Sequence, residues 1–146
     1  MPKLLPRAIA WAEERAAKAA EAGAPLNASE LEIAREVGVA RPELVRVEMV
    51  GDSLPMPDDP TLREAATQAG LLGPGMIGLT LGYAIFICRG HKTRRLLSHE
   101  LRHVHQYEQH GSIAGFLPAY LEQVIEVGYH NAPFERDARA HELRDA

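Results

Sequence analysis

Large and small side chains alternate from residue 77 to residue 85, within an apolar segment that runs to residue 87. Ile77, Leu79, Leu81, Tyr83, Ile85 and Ile87 are large, while Gly78, Thr80, Gly82 and Ala84 between them are small. A two-residue period belongs to a β-strand, whose successive side chains leave on opposite faces. The expectation is one long strand with its large face on a core. Its glycine-bearing face stays open to close approach by another backbone or a ligand. The uncharged run around it, Ala69 to Cys88, has enough residues to span a bilayer, but Gly70, Gly73, Pro74, Gly75, Gly78 and Gly82 interrupt it. No membrane span is expected there.

Helices and one further strand surround this segment. Residues 5–22 read as an Ala-rich amphipathic helix with Pro6 in its first turn and Gly23 past its end. Ser29 and Glu32 have capping-box spacing for a short helix ending at Gly38. Val45, Val47 and Met49 alternate with Arg46 and Glu48, which predicts a strand over 44–50. Asp59-Pro60 opens a helix that Gly70 stops. The back half is helical: 94–110 to Gly111, 117–127 to Gly128, and a last helix opened by Asn131 and Pro133 and running to about Leu143. The fold class is therefore α+β, with one domain over 1–146: N-terminal helices and a strand in 1–50, and a histidine-bearing core in 75–143.

Composition narrows the function. The 146 residues carry a net charge of −4, which disfavours nucleic-acid binding through bulk charge. Ile33 to Arg46 has the outline of a helix-turn-helix with Gly38 in the turn. A reading helix would have to begin near Arg41, where the sequence is β-like and holds Glu43 and Glu48. A DNA-linked regulator is thus a minor alternative. Cys88 is the lone cysteine, which excludes an internal disulfide and suits a reducing, cytoplasmic setting. Lys3 and Arg7 precede no apolar stretch of signal-peptide type before Glu13 and Glu14.

Five of the seven histidines lie between His91 and His110, and two of them form His99-Glu100-Leu101-Arg102-His103. On a helix, residues four apart share one face, so both imidazoles can grip one zinc ion. Glu100 is turned about a quarter of the way round and can serve the metal's water without being a ligand. Zinc acidifies that water and polarises a carbonyl; the glutamate takes the proton and later delivers it. A catalytic zinc needs a third protein ligand. Gln106 and Gln109 stand where the histidine-rich form of the motif needs glycine and histidine, with His110 one residue out of register. Glu122 and Glu126 fall opposite the expected buried stripe of Leu117, Tyr120, Leu121, Val124 and Ile125, so they read as solvated. Glu135, in the first turn of the last helix, is better placed, with His130 and His141 as other possibilities.

Several segments together resemble small bacterial zincin-like proteins of the gluzincin type. They are Gly78-Leu-Thr-Leu-Gly-Tyr83, the His99–His103 motif running on to Gln106-Tyr107, Gly128-Tyr129, and Pro133-Phe-Glu-Arg-Asp-Ala138. The likeness covers roughly residues 75–140. It implies a zincin-like fold with the 77–87 strand as the edge of a small sheet over the motif helix, a peptide substrate lying along that edge, His99, His103 and Glu135 as zinc ligands, and Glu100 as general base. Gluzincins often follow the ligand glutamate with an acid four positions on, which supports a zinc histidine. Here Arg139 takes that position, and the nearest acid is Asp137. Tyr129, just before the ligand helix, could donate to the oxyanion of peptide hydrolysis. His105 reads as a surface residue and Cys88 as a core thiol. The resulting expectation is a zinc metallopeptidase, with a non-catalytic metal-binding protein as the alternative; oligomeric state is not legible.

Overall fold

A computed structural model of the chain describes residues 4–71 and 75–145. Lys3 and the Gly73-Pro74 part of the uncharged run lie outside the described residues. Among the described residues, six α-helices and a small mixed sheet make an α+β fold. In chain order they are α1 (Leu4–Ala22), β1 (Ala24–Pro25), α2 (Ala28–Glu36), a 3₁₀ turn (Pro42–Leu44), β2 (Arg46–Val50), α3 (Pro60–Gln68), β3 (Gly78–Leu81), β4 (Ala84–Cys88), α4 (Arg94–Gln109), α5 (Ile113–Val127) and α6 (Pro133–Ala140). Sheet order is β1-β2-β4-β3. β2 and β4 run parallel, and the other two pairs are antiparallel.

The long strand expected over 77–87 is instead a hairpin. Leu81 pairs with Ala84 across a two-residue loop, Gly82-Tyr83. Gly82 takes a φ of +66°, left-handed backbone that glycine adopts without steric cost. The turn puts Leu79 and Leu81 on one sheet face and Ile85 and Ile87 on the other. β4 is flanked on both sides and buried along its whole length, so its apolar residues need not alternate. β3 becomes an edge strand.

Each sheet face has its own core. Leu81, Ala84, Phe86 and Cys88 pack with Ala12 and Ala19 of α1, whose small side chains let the helix lie close. Val45, Val47, Ile85 and Ile87 pack on the other side with Ile33 and Val37, and with Leu97, Leu101 and Val104 of α4. Spacing of four and then three residues keeps those α4 side chains on one stripe and leaves the His99–His103 face turned away from the sheet core. α5 packs on both α1 and α4 and so ties the two layers together.

Other local expectations need correction. The α2 capping box is Asn27 with Glu30, two residues before the expected pair. The helix-turn-helix outline fails, because a 3₁₀ turn and β2 follow where a second helix would have to begin. α5 begins at Ile113 and α6 ends at Ala140. Ile125 is 60% exposed and Met49 46% exposed, so neither belongs to its expected buried stripe. Among the described residues no helix is long and apolar enough to cross a membrane.

Candidate metal centre

The motif helix α4 starts at Thr93, whose side chain accepts a hydrogen bond from the Leu96 backbone N–H. One and a half turns on, the His99 and His103 rings stand 5.0 Å apart, centroid to centroid. α6 approaches the same face. Its first turn has no side-chain cap of its own. Gln123 of α5 accepts from Phe134 N instead, at 3.0 Å, which leaves Glu135 free to turn inward. Glu135 is buried at 3% exposure. Its Oε1 lies 3.2 Å from His99 Nε2, and its Oε2 lies 3.2 Å from His103 Nε2. His99, His103 and Glu135 are brought together as a group that could hold one metal ion.

The surrounding hydrogen bonds decide which atoms carry protons. His99 Nδ1 faces the Glu142 carboxylate at 2.8 Å, an acceptor only, so Nδ1–H donates. Gln106 Nε2 donates to Phe134 O and Asp137 Oδ2, both at 2.9 Å. Its amide is thereby oriented, and Oε1 faces His103 Nδ1 at 2.7 Å. His103 Nδ1–H therefore donates as well. In neutral rings both Nε2 atoms then carry lone pairs, aimed at a carboxylate that also offers only lone pairs. Such a convergence calls for a cation or for extra protons.

The donor set fits a metal. Zinc–ligand bonds of about 2.0–2.1 Å place tetrahedral donors about 3.3 Å apart, close to the 3.2 Å nitrogen–oxygen separations here. Without metal, protons do the same work. Burial disfavours a charged His99, but the hydrogen bond to Glu135, the charges of Glu100 and Glu135 and the hydrogen bond to Glu142 outweigh it and raise its pKa to about 9. His103 moves up against the same burial penalty, chiefly through Glu135. Burial pushes Glu135 up, and its hydrogen bonds to His103, His99 and Tyr120 bring it far below the usual carboxylate range.

Glu100 lies beside this group and is 5% exposed. Thr80 Oγ1 donates to Glu100 Oε1 at 2.7 Å. On the same edge strand, a Cβ added to Gly78 would stand 2.7 Å from Glu100 Oε2. The glycine-bearing face of β3, expected to stay open, is therefore filled by the glutamate. Tyr107 donates to Thr80 O at 3.1 Å, which braces the strand against α4.

Tyr129 and Tyr120 both reach the site. Tyr129 lines the same cavity as Glu100, His103 and Glu135. Burial, with the negative charges of Glu135 and Glu100, holds its phenol protonated. Tyr120 donates to Glu135 Oε2 at 2.7 Å. The sequence placed Tyr120 only in an apolar stripe; the signal was its polar tip, which needs a partner when buried. Glu142 and Gln106 were also missed as supports, and Asp137 was named only as the nearest acid to the expected supporting position. Asp137 reaches His103 through Gln106 and pairs with Arg102, Nε to Oδ2 at 2.8 Å. Arg139 donates to His130 O and supports neither ring. His130, His141, Glu122 and Glu126 stay outside the metal-ligand group, the two glutamates being exposed. His105 is half-buried, its Nδ1 2.8 Å from Gly38 O. Cys88 is buried, as a core thiol should be.

Compared with protein-family models, curated proteins and solved structures, the chain gives no match.

Proposed function

We propose that the chain is a zinc-dependent metallopeptidase. The observation that carries this reading is the convergence of His99, His103 and Glu135, with Glu100 held next to them at the floor of a cavity of about 490 Å³. His99, His103 and Glu135 would hold the ion; when bound, zinc supplies a Lewis acid and an acidified water. Glu100 takes a proton from the water that adds to the peptide carbonyl and passes it to the departing amine nitrogen as the C–N bond breaks. Water ends as the new carboxyl group's hydroxyl, so the reaction needs no other reactant. Thr80 holds the Glu100 carboxylate in one orientation, and Gly78 leaves room for it. Tyr129 offers a protonated phenol where negative charge develops on the carbonyl oxygen. Glu142 and Gln106 hold the two imidazoles in the tautomer that leaves Nε2 for the metal.

A purely structural zinc site is closed by four protein ligands. Here three cluster among the described residues, and the group opens on a cavity, which favours catalysis. A reducing, cytoplasmic setting agrees with a lone, buried cysteine. The test joins metal analysis to a variant. The purified protein should bind about one zinc per chain, as a three-ligand site requires. Glu100→Gln should keep the metal and lose peptide hydrolysis. Absence of zinc binding, or full activity in that variant, would remove the proposal.

A further inference from the structure

The cavity above the site differs sharply from its floor. Its walls come from four elements: Leu5 and Trp11 of α1, Leu62 of α3, Leu79 of β3, and Leu117 and Ile125 of α5. About 490 Å³ lies within the range of about 300–1,000 Å³ usual for ligand pockets. Ile125 is 60% exposed, so the apolar wall continues out to the surface. Apart from His103, which also lines the cavity, its charged side chains are carboxylates. Glu100 and Glu135 lie at the floor, and Glu122 and Glu126 also line the cavity. The last two are exposed, four residues apart on α5, and so stand together at its mouth. No Lys or Arg among the described residues lines it.

We infer that the cavity takes an internal peptide segment with large apolar side chains, flanked by Lys or Arg that pair with Glu122 and Glu126. The reasoning is electrostatic as much as hydrophobic. At the mouth, a terminal carboxylate, a phosphate or a fatty-acid headgroup would meet Glu122 and Glu126, which no Lys or Arg among the described residues lining the cavity offsets. An uncharged backbone with apolar side chains meets apolar walls, and a basic flank meets the acidic mouth. This inference names the substrate class of the peptidase reading and rests on it, so its test separates occupancy from turnover.

Trp11 is the chain's lone tryptophan, and it lines the cavity. Its emission therefore reports occupancy whether or not hydrolysis occurs. Zinc-loaded protein would be titrated with end-blocked peptides of equal length: a Leu/Phe core flanked by Lys, the same core flanked by Glu, and a Ser/Gln core flanked by Lys. The first should shift Trp11 emission saturably. The second should bind about tenfold more weakly, a gap that shrinks in roughly 1 M salt as exposed charges are screened. The third should give no shift. Glu122→Lys with Glu126→Lys alters two solvent-exposed positions and should reverse the flank preference. Equal binding of the polar core, tighter binding of the Glu-flanked peptide or of dodecanoate, or no shift with any peptide would overturn the inference. If the emission shifts follow the expected order without turnover, the cavity assignment stands and the peptidase reading falls. Turnover indifferent to core and flank has the opposite meaning.

Discussion

The two imidazoles of the centre are supported in different ways. His99 lies near the start of α4, its side chain 12% exposed, and is backed by a charged group. Glu142 accepts from its Nδ1 and is itself bound by Arg95 Nε at 2.9 Å. His103 is deeper, with 7% side-chain exposure, and is backed by a neutral amide. On the Nδ1 side of that ring the acid Asp137 stays one group away and is paired with Arg102. Charge can back a ring where water still screens it, whereas a second carboxylate on the Nδ1 side of the buried ring, in addition to Glu135, would carry a large desolvation cost. A relay through Gln106 gives orientation without placing that charge at the ring.

The largest effect should come from the residue both rings share. Glu135→Ala should weaken zinc binding well beyond the roughly 10–100-fold typical of a supporting residue. Glu126→Ala should leave zinc affinity unchanged. Calorimetric zinc titration of the two variants checks this, and the reverse order would mean that the third ligand lies elsewhere.

The supports themselves come next. Gln106→Leu and Glu142→Ala should each lower zinc affinity by about 10–100-fold, with Gln106 costing more. Its loss also removes a hydrogen-bond partner of the half-buried Phe134 O and Asp137, at about 0.5–1.5 kcal/mol of stability for each bond. Glu142 is at the half-exposed tail, where water can replace it. A larger loss at Glu142 in parallel zinc and thermal titrations would break the contrast.

Gly78→Ala sharpens it from the opposite side. The added Cβ would meet Glu100 Oε2 at 2.7 Å, so the base must move while both histidines keep their supports. Peptide hydrolysis should fall with little change in zinc affinity, at a stability cost of about 1–3 kcal/mol for overpacking.

The smallest effect is a pH dependence. The His99 pKa stands at about 9 in the folded, metal-free chain, against about 6.5 unfolded. Its stabilising contribution is therefore complete below the unfolded value and fades as pH rises through about 9. Thermal melts of metal-free protein should show falling stability from about pH 6.5 to 9, and zinc affinity should rise over the same window as protons leave the ligands. Zinc-loaded protein should melt at a nearly constant temperature there. A metal-free melting temperature that is flat or rises would contradict the ion-pairing drawn around Glu135.

Legibility followed the range of the interaction. His99, Glu100 and His103 could be read because a helix places residues four apart on one face wherever it sits. Glu135 was nominated with His130 and His141 still open, and the resemblance selected it. Its meeting with both Nε2 atoms depends on how α6 docks on α4. Glu142 had no local signal, since the chain must end α6 at Ala140 and fold back, with Leu143 N donating to Ser98 Oγ at 2.8 Å. The 77–87 segment was misread because alternation describes a strand and a tight hairpin almost equally well. Only the left-handed Gly82 and the burial of β4 on both faces separate the two.

By itself, the sequence determined the helical periodicities, the α+β class, and a pair of imidazoles with a glutamate between them. Those follow from backbone geometry over a turn or two. Tertiary structure alone decided that the edge strand is the short β3 of a hairpin and receives Glu100, and that Gln106 and Glu142 hold the two rings. It also decided that Tyr120 braces Glu135 and that α1, α3 and α5 wall an apolar cavity. Each of these depends on contacts between segments far apart in the chain, whose pairing is set by which faces can be buried together.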